Sequence, residues 1–228
     1  MIVRNGEVKK LEKIFDSGHN SITLLSGSRT SDLISVIEAF IKDKRCFYYK
    51  ARNASGEQQL AFLISQIEGT YGIHIQKNTY DECFTRIKSG DSSRLVVVID
   101  GFERAVKNDM GLFESLINLR NRKLYPGPVM IVLMTESVSF VRRDMEKVLG
   151  ETVGAIDHRI DAGHLSFLDV VRAFPKYSVA EAVSVYGIIG GAPSYLKLWD
   201  DSLSINENVC KLVLNRDAKL YNEAEDYI

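Results

Sequence analysis

A short apolar run, Ile22-Thr23-Leu24-Leu25, leads into Ser26-Gly27-Ser28-Arg29-Thr30-Ser31-Asp32-Leu33, and a helical pattern follows. Strand, glycine turn and helix N-terminus together form the setting in which backbone N–H groups and the helix dipole attract phosphate. The full phosphate-gripping motif, G-x-x-x-x-G-K-[ST], adds a second glycine, a lysine for the terminal phosphates and a hydroxyl for magnesium. No Gly-Lys pair occurs in this loop. Counted from Gly27 without gaps, Asp32 takes the second glycine's place and Leu33 the lysine's. If the loop is shortened by three residues, Thr30 takes the lysine's place and Ser31 the hydroxyl's. Either count removes the lysine, and the first puts a carboxylate where phosphate would lie. Arg29 carries a charge, but its guanidinium is displaced and cannot reproduce a lysine's geometry. An ordinary turn capped by Thr30 or Ser31 is the plain alternative.

A second chemical position closes the run Leu95-Val96-Val97-Val98-Ile99-Asp100. An Asp at the end of a buried strand can hold hydrated magnesium, and an acidic residue beside it can orient the attacking water. Here Asp100 is followed by Gly101, so that second residue is missing; Glu103, three positions on, is expected in the following turn.

Other chemistries find little footing. His19, His74, His158 and His164 lack metal-ligand spacing, and Ser26-Gly27-Ser28 is not the G-x-S-x-G of a hydrolase nucleophile. Cys46, Cys83 and Cys210 are scattered and odd in number, which fits reduced thiols, Cys46 buried among them, in a cytoplasmic setting. The formal net charge of −1 gives no general pull toward nucleic acid or anionic membrane. Nucleic acid stays open only through local basic clusters, Arg120 with Arg122 and Lys123, and Arg142 with Arg143, each better read as a solvated helix face. Tyr48-Tyr49 and Tyr186 read as core or interface aromatics. No signal region opens the chain and no apolar run approaches about 18 residues, so neither secretion nor a membrane span is expected.

The elements that must position these residues follow from the period of the apolar pattern. Helical spacing covers 7–15, strands are expected at 22–25 and 46–49, and helices at about 31–41, 58–68 and 80–88. The runs 95–100 and 129–134 are apolar throughout, as strands covered on both faces are. Helices are expected at about 111–122 and 140–149, a turn at Pro126-Gly127-Pro128, and a short segment at 156–165. The alternation predicts an α/β core over 1–165, a parallel sheet flanked by helices. Residues 166–228 lack strand signals and predict a small helical lid-like subdomain with an exit segment, broken sharply at Ile188-Ile189-Gly190-Gly191-Ala192-Pro193.

With these residues in place, the chain resembles the archaeal-type ATPase family, P-loop NTPases of the STAND/AAA-like group often fused to a restriction-endonuclease-like domain. Ser137-Val138-Ser139-Phe140-Val141-Arg142 and Leu165-Ser166-Phe167-Leu168-Asp169 resemble two of its elements. Tyr186-Gly187-Ile188-Ile189-Gly190-Gly191-Ala192-Pro193-Ser194-Tyr195-Leu196 resembles its Tyr-x-Ile-x-Gly-Gly-x-Pro-x-Tyr-Leu signature, and Leu220-Tyr221-Asn222-Glu223-Ala224-Glu225 its C-terminal Leu-Tyr-x-Glu-Pro-Glu. The departures fall where nucleotide chemistry belongs. Only Arg4 matches the N-terminal element, Thr135-Glu136-Ser137 replaces a Gly-Ser-Ser, and Arg159 alone remains of paired arginines.

The resemblance implies ATP and magnesium as cofactors, with Gly27, Ser28, Thr30, Ser31 and Asp100 at the nucleotide. Ser31 and Asp100 would face the metal, and Arg159 the γ-phosphate, as catalytic remnants. The lost motifs point to a degenerate pseudo-ATPase, a regulatory or interaction module serving a downstream domain or protein partner. The alternative is a functional ATP-binding switch ATPase with a non-standard phosphate loop. The chain's stop soon after Tyr221 is expected of a fragment of a longer protein.

Overall fold

A computed structural model describes residues 4–87, 94–121, 124–125 and 127–221. The chain divides into two units: a core of Arg4–Arg29 with Leu33–Ala162, and a helical unit running from Gly163 that also takes in Thr30–Asp32.

The core is built on five parallel strands: β1 (Ser21–Gly27), β2 (Cys46–Lys50), β3 (Leu95–Asp100), β4 (Val129–Thr135) and β5 (His158–Ala162). Their order is β2-β3-β4-β1-β5. The central strands β3 and β4 are buried at every position, which is why their sequences are unbroken apolar runs. The edge strands β2 and β5 alternate or expose their residues.

One face of the sheet is covered by α1 (Asn5–Asp16) and α2 (Leu33–Ile41), whose Leu11, Leu33, Val36, Ile37 and Phe40 pack against Leu25, Val98, Val132 and Ile160. The other is covered by α3 (Gly56–Tyr71), α4 (Tyr80–Thr85), α5 (Phe102–Val106), α6 (Gly111–Arg120) and α7 (Met145–Leu149), with a π turn, Phe140–Asp144, leading into α7. Phe102 is the hub of this side, edge-on to both Phe113 and Phe140. A capping box at Ser55 and Gln58 starts α3 two residues earlier than the apolar pattern indicates, and Gly72 ends it in the left-handed region.

Three readings are corrected. Glu103 lies inside the short helix α5, not in a turn, because Gly101 at φ 73° starts a helix at once. Ser31 does not open the helix: Arg29–Ser31 form a 3₁₀ turn, and α2 opens only at Leu33. Cys46 is half-buried. The expected ends of two helices at 88 and 122, Pro126 of the turn, Arg122 and Lys123, and the segment from Asn222 lie outside the described residues.

The helical unit holds α8 (Phe167–Ala173), α9 (Val179–Ile189), α10 (Pro193–Leu196) and α11 (Ile205–Val209), closed by a π turn at Cys210–Leu214. Its core is Val170, Phe174, Val185, Ile189, Leu196, Trp199 and Leu212. Capping boxes at Ser166/Asp169, Ser178/Glu181 and Ser204/Glu207 fix where its helices start. The Leu165–Asp169 motif is thus a helix-start signal. The double glycine is also structural. Gly190 has φ 62°, and a Cβ on Gly191 would collide with the Leu165 carbonyl, whose own N–H donates to the Gly191 carbonyl at 2.7 Å.

Candidate functional site

β1 and β4 are neighbours, yet the chain leaves β1 for α2 on one face and leaves β4 for α7 on the other. Such a divergence opens a crevice at the C-terminal ends of the strands, where α/β proteins of this kind bind ligands. Gly27 ends β1, Asp100 ends β3, and Thr135 ends β4, so sheet topology brings these three strand ends to one edge.

Asp100 is 9% exposed. Tyr48 Oη donates to its Oδ2 at 2.8 Å, and Lys50 Nζ lies 3.8 Å from the same oxygen. The β2–β3 register pairs Lys50 with Asp100 directly. Burial, followed by this bond to a carboxylate, pushes the Tyr48 hydroxyl above its ordinary range, so it stays a proton donor. Glu136, one residue past β4, has its pKa raised by burial and then by the Asp100 charge, with Glu103 adding to it and Arg104 and Lys50 opposing. Among the described residues no group of three or more His, Cys, Asp or Glu side chains is arranged to hold a metal ion.

Gly101 explains the residue after Asp100. Its φ of 73° lies where residues with a Cβ are strained, and a Cβ there would stand 3.3 Å from the Ala51 carbonyl. Its N–H donates to the Met134 carbonyl at 3.0 Å, tying the turn to β4. The backbone at this position is shaped for glycine, not for an acidic side chain.

The phosphate-type loop is divided. Gly27, Ser28 and Arg29 belong to the core, whereas Thr30, Ser31 and Asp32 belong to the helical unit. Within that unit Ser194 Oγ donates to the Thr30 carbonyl at 3.2 Å, Thr30 Oγ1 lies 3.4 Å from His164 Nε2, and Lys197 Nζ forms an ion pair with Asp32. Thr30 and Ser31 are buried. Among the described residues Asp32 is the one non-glycine residue with positive φ, 56°, and it stands directly before α2. The ungapped count puts the second glycine there, the residue type such a φ favours. Leu33, in the lysine's place by that count, is fully buried in the apolar layer of α2.

Arg159 is not brought to this edge. It pairs with Leu24, three positions before the Gly27–Ala162 pair, and so lies roughly 10 Å back along the sheet. It lines a different cavity, with Lys10, Lys13 and His19. Sequence reasoning missed Tyr48, Lys50, Glu136, Ser194 and Lys197. Tyr48 and Lys50 become legible only once β2 is known to pair with β3.

No family model matches the chain. An uncharacterized protein of Methanocaldococcus jannaschii is 23% identical over 207 residues, covering 86% of this chain and 44% of the relative, so the chain spans less than half that protein's length. Among solved structures, the Walker-type ATPase of Pyrococcus abyssi superposes with a TM-score of 0.62 at 16% identity, over 92% of this chain and 71% of the other. The ORC2 protein of Aeropyrum pernix in its ADP form gives 0.63 at 14% identity, over 86% and 61%. The ORC1 protein of the same organism, in complex with DNA, gives 0.54 at 16% identity, over 86% and 58%.

The fold is that of a P-loop ATPase.

Within that fold, the ATPase-type domain keeps the strand-end aspartate, Asp100, and carries Asp32 and Leu33 where the second glycine and the lysine are sought. Among the described residues no helix is long and apolar enough to cross a membrane.

Proposed function

We propose that this domain is a pseudo-ATPase: an ATPase-type fold that does not hydrolyse ATP and serves as a regulatory or interaction module for a downstream domain or protein partner. The observation that carries this reading is Asp32. Its carboxylate occupies the turn into α2 and is engaged by Lys197. A phosphate group there would meet a carboxylate where the motif has a glycine, and Leu33, in the lysine's place, is buried in the core.

Magnesium and ATP fit this set of residues poorly. Asp100 is available as one oxygen ligand, but it is already held by Tyr48 and Lys50. Ser31 is fully buried. The position after Asp100 has a glycine backbone, so no residue there orients a water. In this reading Gly27, Ser28, Thr30, Ser31 and Asp100 are remnants of a nucleotide site, and Arg159 is not part of it.

An exposed apolar stripe supports the interaction role. Val179, Val183 and Tyr186 recur at helical spacing on α9, 63%, 54% and 36% exposed, and Leu168 on α8 is 62% exposed.

The test is thermal unfolding of the protein with and without millimolar ATP and magnesium. A nucleotide bound to the native state at a hundredfold excess over its Kd would add about 2.7 kcal/mol of stability. No shift is expected. A rise in Tm that Asp100→Ala abolishes would overturn the proposal in favour of a switch ATPase with a non-standard loop.

A further inference from the structure

At the N-terminal end of the sheet, opposite the site above, a cavity of about 870 Å³ opens between the C-terminal half of α1 and the first residues of β1 and β5. Lys10 and Lys13 come from α1, His19 from the turn before β1, and His158 and Arg159 from β5. Residues far apart in sequence meet here because β5 pairs in parallel with β1, in the register Thr23–His158 and Leu24–Arg159.

Three features mark the groove as a binding surface for anions. First, Lys10, Lys13 and Arg159 are exposed and form no ion pair among the described residues. Second, the acidic side chain that lines the cavity, Asp157, is already committed. The Asp157 carboxylate accepts from the Ile22 N–H at 2.8 Å and is paired with Arg120, and the Arg94 guanidinium donates to the carbonyls of Ile14, Phe15 and His19 around the end of α1. The negative pole of that helix is thereby covered by a cation. Third, Ser21 lines the cavity, is 3% exposed, and has a hydroxyl without a partner among the described residues. A buried hydroxyl left without a partner costs stability until something meets it.

The lining has no Phe, Tyr or Trp among the described residues, so it lacks the broad aromatic platform on which unpaired bases stack. What it offers is fixed positive charge, imidazoles and a hydroxyl, which suit phosphate oxygens. We propose that this groove binds the phosphodiester backbone of double-stranded nucleic acid, independently of sequence, through Lys10, Lys13 and Arg159. This surface is separate from the strand-end site, and its binding requires no nucleotide.

The experiment is fluorescence anisotropy of a labelled random-sequence DNA duplex with the full chain, titrated at several salt concentrations. Three phosphates neutralised give a slope of log K against log salt of about −2.7. The variant Lys10→Gln/Lys13→Gln/Arg159→Gln should bind roughly tenfold or more weakly at low salt and lose most of that slope. Its melting profile should match the parent's, since all three side chains are exposed. The charge-matched Arg142→Gln/Arg143→Gln/Lys147→Gln, on the π turn and α7, should bind as the parent does. Arg159→Gln alone should lower the slope by about one and keeps the test open if the triple variant misfolds. No binding at low salt, equal losses in the two triple variants, or equally tight binding of polyglutamate would each overturn the proposal.

Discussion

Asp32 is held in a conformation that costs a residue with a Cβ about 1–2 kcal/mol. Glycine there would remove that strain but also the ion pair to Lys197, a partly exposed bridge worth at most about 1 kcal/mol. Asp32→Gly should therefore stay within about 1 kcal/mol of the parent, while Asp32→Val should lose ~1–2 kcal/mol or more, measured as urea midpoints. Glu136 gives a pH prediction. Its carboxyl is held above the ordinary range by burial and by the Asp100 charge, so the folded state holds this proton more tightly than the unfolded chain. The resulting stability is present below the ordinary carboxylate pKa and is lost as pH rises through the raised one. Glu136→Gln, which cannot ionise, should match the parent in acid and melt progressively higher than it as pH rises to neutrality, by thermal scans at several pH values. These residues also show how far the sequence could be read. The absence of a lysine was plain from the residues alone. That Asp32 has a left-handed backbone and is engaged by Lys197 depends on a contact spanning the chain, which no local pattern encodes.

At the scale of elements, the Gly190-Gly191 break is held by backbone packing. A Cβ at position 191 collides with the Leu165 carbonyl, and no rotamer change relieves a clash with main chain. Gly191→Ala should cost ~1–3 kcal/mol and speed hydrogen exchange across α8 to α10. Gly187→Ala, four residues earlier in α9 with nothing within 4 Å of its Cβ, should leave exchange unchanged or slow it, since alanine favours a helix interior by up to about 1 kcal/mol. Long buried strands such as Leu95–Asp100 and Val129–Thr135 were legible because burial on both faces demands an unbroken apolar run. Short α5 was not, because its start is set by the φ of Gly101 and its place by the edge-on packing of Phe102 against Phe113 and Phe140. Arg159 was misplaced for a similar reason: a residue on a short edge strand reaches one end of the sheet or the other according to register, and register is a property of the pair.

For the whole molecule, the two proposed surfaces lie at opposite ends of the same sheet and respond to different probes. ATP with magnesium should leave Tm unmoved, and a DNA duplex should bind with a salt slope of about −2.7 whether or not nucleotide is present. The division of the loop between two units has a further consequence, for the order in which the chain acquires its shape. Thr30 meets partners 134 and 164 residues further along, at His164 and Ser194. At a synthesis rate of about 5–20 residues per second, the ribosome needs roughly 7–33 s to reach them after Thr30 has been made. By the time His164 is made all five strands have been synthesised, and until then the turn into α2 lacks its contacts to His164, Ser194 and Lys197. The segment from which an ATPase would begin its chemistry is, in this chain, among the last to be fastened.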